Sequence, residues 1–117
     1  MKNIIENSLG SIEISKEVIA LLAGNAAMEC YGLVGMASRK MIDGIAELLG
    51  RENLSKGIEV HVSEDILEID IYIIVQYGTK INEVANNVID KVHFILENVV
   101  GISPDKINVI VHGVRIK

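Results

Sequence analysis

Ile58-Glu59-Val60-His61-Val62-Ser63-Glu64-Asp65-Ile66-Leu67-Glu68-Ile69-Asp70-Ile71-Tyr72-Ile73-Ile74-Val75-Gln76-Tyr77 carries the pattern on which the fold turns. In its first limb Ile58, Val60 and Val62 alternate with Glu59, His61 and Ser63. In its second limb Ile69, Ile71, Ile73, Val75 and Tyr77 alternate with Glu68, Asp70, Tyr72, Ile74 and Gln76. A period of two sends successive side chains to opposite faces of a strand. Ser63-Glu64-Asp65 is a compact turn between the limbs, so the stretch predicts an antiparallel hairpin with one dry face and one wetter face.

Downstream, Ile81, Val84, Ala85, Val88, Val92, Ile95, Leu96 and Val99 trace an apolar stripe at helical spacing, opposite Asn82, Asn86, Asn87, Asp90 and Lys91. Thr79 is the expected N-cap, with Glu83 in the first turn. Gly101 closes the helix in a left-handed conformation, and Pro104 discourages its continuation. Ile107-Asn108-Val109-Ile110-Val111-His112-Gly113-Val114 alternates again and predicts a last strand whose odd positions join the same core.

Upstream, Leu9-Gly10-Ser11-Ile12-Glu13-Ile14 reads as a first strand and Ser15 as the N-cap of a helix. Val18, Leu21, Leu22, Ala26, Met28 and Cys30 are its expected apolar positions. Gly32-Leu33-Val34-Gly35-Met36-Ala37-Ser38 reads as a further strand. From Arg39 to Leu49, Met41, Ile42, Ile45, Leu48 and Leu49 recur at intervals of three and four, which predicts a short second helix, with Gly50 to Lys56 as its exit loop. The order is β-α-β-α-β-β-α-β, an α+β two-layer sandwich in which a mixed sheet of four or five strands is covered by helices. Residues 1–117 read as one domain with an ordered core from about 9 to 116.

Composition excludes several classes of function. Eleven Lys and Arg against sixteen Asp and Glu give a formal charge of −5, and the cations are scattered, so no nucleic-acid partner is expected. Gly32-Leu33-Val34-Gly35 has the spacing of an RNA-clamping Gly-x-x-Gly loop, but Leu-Val fills its middle and its context is a strand. No phosphate-binding glycine motif is present. The most apolar run, Ile71 to Val75, is far short of the roughly 20 residues that cross a bilayer, so no direct membrane span is expected. One cysteine, Cys30, permits no internal disulfide and fits a reducing, cytoplasmic setting.

No catalytic constellation stands out. His61, His93 and His112 share no metal-ligand spacing; two of them meeting Asp70 or Glu68 in space is the one route to a metal centre, and none is assigned. Glu68 and Asp70 share a strand face, where they serve equally as its solvated side. Cys30 has Glu29 rather than a cation beside it and reads as packing. The chain therefore reads as a non-enzyme without a cofactor. What the pattern leaves over is apolar: Tyr72 and Ile74 interrupt the wetter face of the hairpin and Ile110 does the same on the last strand, making these three the interface candidates.

The whole pattern resembles the alkaline-shock protein family, envelope-stress proteins of Gram-positive and related bacteria. The resemblance runs nearly end to end. It is carried by Gly10-Ser11-Ile12-Glu13-Ile14-Ser15, the helical Val18 to Ala27 region, Gly32-Leu33-Val34-Gly35-Met36, Gly57-Ile58-Glu59-Val60, Gln76-Tyr77-Gly78, the helix with Ile81, Val84, Val88 and Val92, and the closing Ile107 to Val114 strand. The resemblance implies a cytoplasmic interaction or scaffold protein of cell-envelope or alkaline-stress homeostasis. It implies self-association and peripheral attachment to the membrane through a small integral-membrane anchor protein. Its alternative implication is an accessory protein for a fatty-acid-kinase or dihydroxyacetone-kinase-like enzyme of lipid metabolism. It supplies no catalytic motif.

Overall fold

The hairpin read from Ile58 to Tyr77 is the centre of the structure, a computed structural model that describes residues 2–42 and 45–116. In chain order the elements are β1 (Lys2–Asn7), β2 (Gly10–Ser15), α1 (Lys16–Met28), β3 (Leu33–Ile42), β4 (Ile45–Leu48), a 3-10 helix (Arg51–Gly57), β5 (Ile58–Ser63), β6 (Ile66–Gln76), α2 (Ile81–Ile95), which continues as a π turn over Leu96–Val100, and β7 (Lys106–Arg115). The class is α+β, as the alternating patterns require.

Strand β6 organises the sheet. One of its edges pairs β5 antiparallel from Ser63↔Ile66 to Ile58↔Ile71, then β3 antiparallel from Met36↔Ile73 to Leu33↔Val75. Its other edge pairs β7 in parallel from Glu68↔Lys106 to Gln76↔Arg115. Glu64 and Asp65 in the β5–β6 turn have positive φ, the backbone that keeps the right-handed twist of a two-residue hairpin. The entry into β7 is pinned by Asp105, whose carboxylate accepts from the Leu67 N–H at 2.7 Å while its own N–H donates to the Leu67 carbonyl at 2.8 Å.

The odd residues of β6, Leu67 through Val75, are buried under the helices, with Val84, Val88, Val92 and Leu96 from α2 above them. Each such aliphatic side chain contributes about 1.5–3 kcal/mol on leaving water. Gly101, with φ of 88°, ends the π turn as expected. The cap at the other end differs: α2 begins after Lys80 without a side-chain cap, and the Thr79 hydroxyl donates to the Gln76 carbonyl at 2.7 Å. Thr79 thus holds the turn out of β6 instead of the first turn of the helix.

Helix α1 begins at the expected cap, with the Ser15 hydroxyl accepting from the Val18 N–H at 3.2 Å. Its inward face is the expected one at Leu22, Ala26 and Cys30 but not at Val18, Leu21 and Met28. Ile19, Ala20, Ala23, Gly24, Ala26 and Ala27 are buried, whereas Val18, Leu21 and Met28 point outward. Apolar residues surround this helix, so their period does not say which side faces in. Close approach selects the small side chains: a Cβ at Gly24 would stand 3.3 Å from Leu54 Cβ in the 3-10 helix.

The expected second helix over 39–49 does not form. Strand β3 runs on to Ile42 and pairs antiparallel with β4 through Ile42↔Ile45, Met41↔Ala46 and Ala37↔Leu48. The reason lies in Asp43-Gly44, between the paired isoleucines. These two residues lie outside the described residues, but the dipeptide favours a two-residue hairpin turn, and a glycine inside a helix costs about 1 kcal/mol. The stretch expected as its exit loop forms the 3-10 helix Arg51–Gly57. A second departure is β1, which pairs β2 from Lys2↔Ser15 to Asn7↔Gly10 as a separate two-stranded ribbon.

Candidate functional site

The face of the sheet turned away from the helices carries the even residues of β6 and their neighbours. Pairing aligns Glu59, Asp70 and Asn108 in one row, His61, Glu68 and Lys106 in the next, and Tyr72 with Ile110 beyond them. Strand alternation alone therefore gathers groups that lie up to 49 residues apart, such as Glu59 and Asn108.

These groups are connected. His61 Nε2 stands 3.1 Å from Asp70 Oδ2 and 3.5 Å from Glu59 Oε1. Asn108 Nδ2 donates to Asp70 Oδ1 at 2.8 Å and to Glu68 Oε2 at 2.6 Å, so one amide holds two carboxylates together. The Tyr72 hydroxyl donates to Glu59 Oε1 at 3.4 Å, and its ring meets that of His112 at a centroid distance of 4.9 Å. His112 Nδ1 lies 3.1 Å from the Ser38 carbonyl. A carbonyl can only accept, so Nδ1 carries the proton.

Of the three interface candidates, Tyr72 and Ile110 are half-buried neighbours on this face. Ile74 is 2% exposed and is not a surface residue of the folded chain. Its strand partner is Gly35, and a Cβ at Gly35 would stand 2.8 Å from Leu48 Cδ1. The β3–β4 hairpin, which the helical period of 39–49 conceals, thus places Leu48 beside Gly35, the strand partner of Ile74.

Other expectations from the sequence also meet the structure here. Cys30 is half-buried, its Sγ 3.9 Å from the Ala26 carbonyl. Burial pushes its thiol pKa up, with Glu29 adding to the rise and Lys91 opposing it, which is the reverse of what a thiolate nucleophile requires. Gly32 lies in the turn before β3 and Gly35 within the strand, so these two glycines do not form a helix–loop–helix clamp. His93 lies on α2 beside Glu97, at 3.8 Å, apart from the other two histidines.

Exposed apolar groups also lie outside the three interface candidates, among them Tyr31, Tyr77, Phe94, Val99 and Ile116. Val18, Leu21 and Met28 form a stripe on the outer face of α1, at 45, 48 and 37% exposure. Leu9, at the tip of the β1–β2 ribbon, is 97% exposed, and Ile12 of β2 is 54% exposed. The sequence does hold a signal for this surface: α1 has almost no charged residue between Glu17 and Glu29, where a solvated helix face would have several.

Comparison with known proteins bears on nearly the whole chain. It is 49% identical over 113 residues to the uncharacterized protein YloU of Bacillus subtilis (strain 168), covering 96% of this chain and 94% of the relative. It is 40% identical over 108 residues to the uncharacterized protein Spy1614 of Streptococcus pyogenes serotype M6, covering 92% and 89%. It is 34% identical over 110 residues to the uncharacterized protein YqhY of Bacillus subtilis (strain 168), covering 94% and 81%. No solved structure matches. Residues 4–116 match the model of the alkaline shock protein family, which is described by a cell envelope-related function, and the chain belongs to that family.

Proposed function

We propose that this chain is a non-enzymatic cytoplasmic scaffold of cell-envelope or alkaline-stress homeostasis that acts through protein–protein contacts, the first of them with a second copy of itself. The observation that carries this reading is α1. Its outer face carries Val18, Leu21 and Met28 open to water, with Asn25 as the one polar residue among them. The β1–β2 ribbon adds a second unsatisfied element, because it is a separate two-stranded sheet, and two strands alone are marginally stable in water. The two features adjoin, since β2 ends at Ser15 and α1 begins at Lys16. In this reading a two-fold pair of chains would cover the apolar stripe and the ribbon together.

Among the described residues no helix is long and apolar enough to cross a membrane. Attachment at the envelope therefore runs, in this reading, through a partner such as a small integral-membrane anchor protein. A photoreactive amino acid placed at Leu21, with Asp90 on α2 as the control position, tests the reading in cells when membrane and soluble fractions are analysed separately by mass spectrometry. The expected result is crosslinking at Leu21 to a second copy, with an integral-membrane protein in the same complexes. Equal crosslinking at Leu21 and Asp90 would remove α1 as the interface. Exclusive recovery of a soluble lipid-metabolism kinase would replace the scaffold with an accessory protein.

A further inference from the structure

We propose that Glu59, His61 and Asp70 form a binding site for a divalent first-row transition metal of the zinc type. Among the described residues this is the one group of three His, Cys, Asp or Glu side chains whose ligand atoms all lie within 4.8 Å of one another. Their spacing is within reach of a single ion. A tetrahedral metal with bonds of about 2.0–2.1 Å sets its ligand atoms about 3.3–3.4 Å apart. His61 Nε2 lies 3.1 Å from Asp70 Oδ2 and 3.5 Å from Glu59 Oε1, on either side of that value. Small side-chain adjustments would place all three at bonding distance, with a fourth position open to solvent on the exposed side of the sheet.

The surroundings favour a cation there. Asn108 Nδ2 holds Asp70 Oδ1 at 2.8 Å, which leaves Oδ2 turned to His61, and the same amide group brings the Glu68 carboxylate alongside at 2.6 Å. The Tyr72 hydroxyl holds the Glu59 carboxylate at 3.4 Å. Outer partners of this kind orient metal ligands and tune their affinity. Among the described residues, no Lys or Arg forms an ion pair with Glu59, Glu68 or Asp70, although Lys106 stands in register beside Glu68. An imidazole with two carboxylates selects zinc, cobalt or nickel over calcium and magnesium, which take mainly oxygen ligands in larger number. The metal would take the place of the proton between His61 and Asp70 and tie β5 to β6 across their pairing.

Sequence spacing is silent on this site because two ligands come from β5 and the third from the facing strand. The test is a titration of the full-length, tag-free chain, stripped with chelator, with Co²⁺ as optical probe and Zn²⁺ as competitor. The expected result is one equivalent of tetrahedral Co²⁺ absorption, bleached by one equivalent of Zn²⁺, and a melting temperature raised by Zn²⁺. Asn108→Ala should weaken binding about 10-fold, in the range for an outer partner. His61→Ala and Asp70→Asn, each checked for folding by circular dichroism, should weaken it by more than the roughly 100-fold upper end of that range. His93→Ala should leave it unchanged. No tetrahedral spectrum from the parent chain, or one that survives both His61→Ala and Asp70→Asn, would overturn the proposal.

Discussion

Gly32→Ala is expected to remove about 2–5 kcal/mol of stability, a large share of the roughly 5–15 kcal/mol that holds a domain of this size together. Two costs add. The residue has φ of 87°, a left-handed backbone that costs an L-residue about 1–2 kcal/mol. The new Cβ would also stand 2.7 Å from Val84 Cγ2 and 3.3 Å from Thr79 Cγ2, and crowding a packed site costs about 1–3 kcal/mol. Val84 is buried on α2 and has little room to retreat. Urea unfolding reads the change as a lower midpoint with an unchanged slope. Gly10→Ala is the control, since nothing lies within 4 Å of its added Cβ and its φ is not left-handed; its midpoint should stay close to that of the parent. Equal effects at the two positions would mean that the turn at Gly32 does not pack against Val84 of α2 as described.

Ile74→Ser should cost about 2–5 kcal/mol, the range for emptying a large buried aliphatic site, while leaving self-association of the remaining folded protein unchanged. The side chain is 2% exposed, and Leu48 of β4 lies over its strand partner Gly35. A serine hydroxyl there would add an unpaired polar group to the lost packing. Thermal unfolding and sedimentation of the same variant separate the two roles. A stable variant with weakened association would restore Ile74 to the surface and contradict its burial.

The difference between these two glycines and between Ile74 and its neighbours explains what the sequence makes legible. Strand alternation over Ile58–Gln76 and the apolar stripe of α2 are strong because one face of each is polar, so the pattern itself names the buried side. Helix α1 has no such contrast. Its apolar residues mark a helix but not its inner face, and the choice of Ala20, Ala23 and Ala27 over Val18 and Leu21 is made by the space beneath the 3-10 helix, a tertiary fact. The segment 39–49 presents a helical period and a hairpin dipeptide at once, and pairing decides for the hairpin. Ribbon β1–β2 carries too short an alternation in its first strand to be read without its partner.

The same limit applies to the sites. Tyr72 and Ile110 are interruptions of a polar face and are visible as such, whereas the burial of Ile74 is a matter of tertiary packing. Glu59, His61, Asp70 and Asn108 are each ordinary residues on a solvated strand face. Only the register of β5, β6 and β7 brings them into two adjacent rows of one face.

The central claim is that the bare face of α1 is covered by a second copy of the chain. Sedimentation equilibrium of the parent chain and of Leu21→Glu tests it most directly, with unfolding midpoints measured alongside. Leu21 is 48% exposed, so the charge is tolerated in the single chain, but in a contact it would forfeit about 1 kcal/mol of further apolar burial and add a desolvation cost. Each 1.4 kcal/mol is tenfold in the dissociation constant. The account predicts a self-associating parent and a variant that associates at least about tenfold more weakly, with equal midpoints at concentrations low enough for both to be monomeric. A parent that stays monomeric at every concentration, or a variant that associates as tightly as the parent, would contradict it.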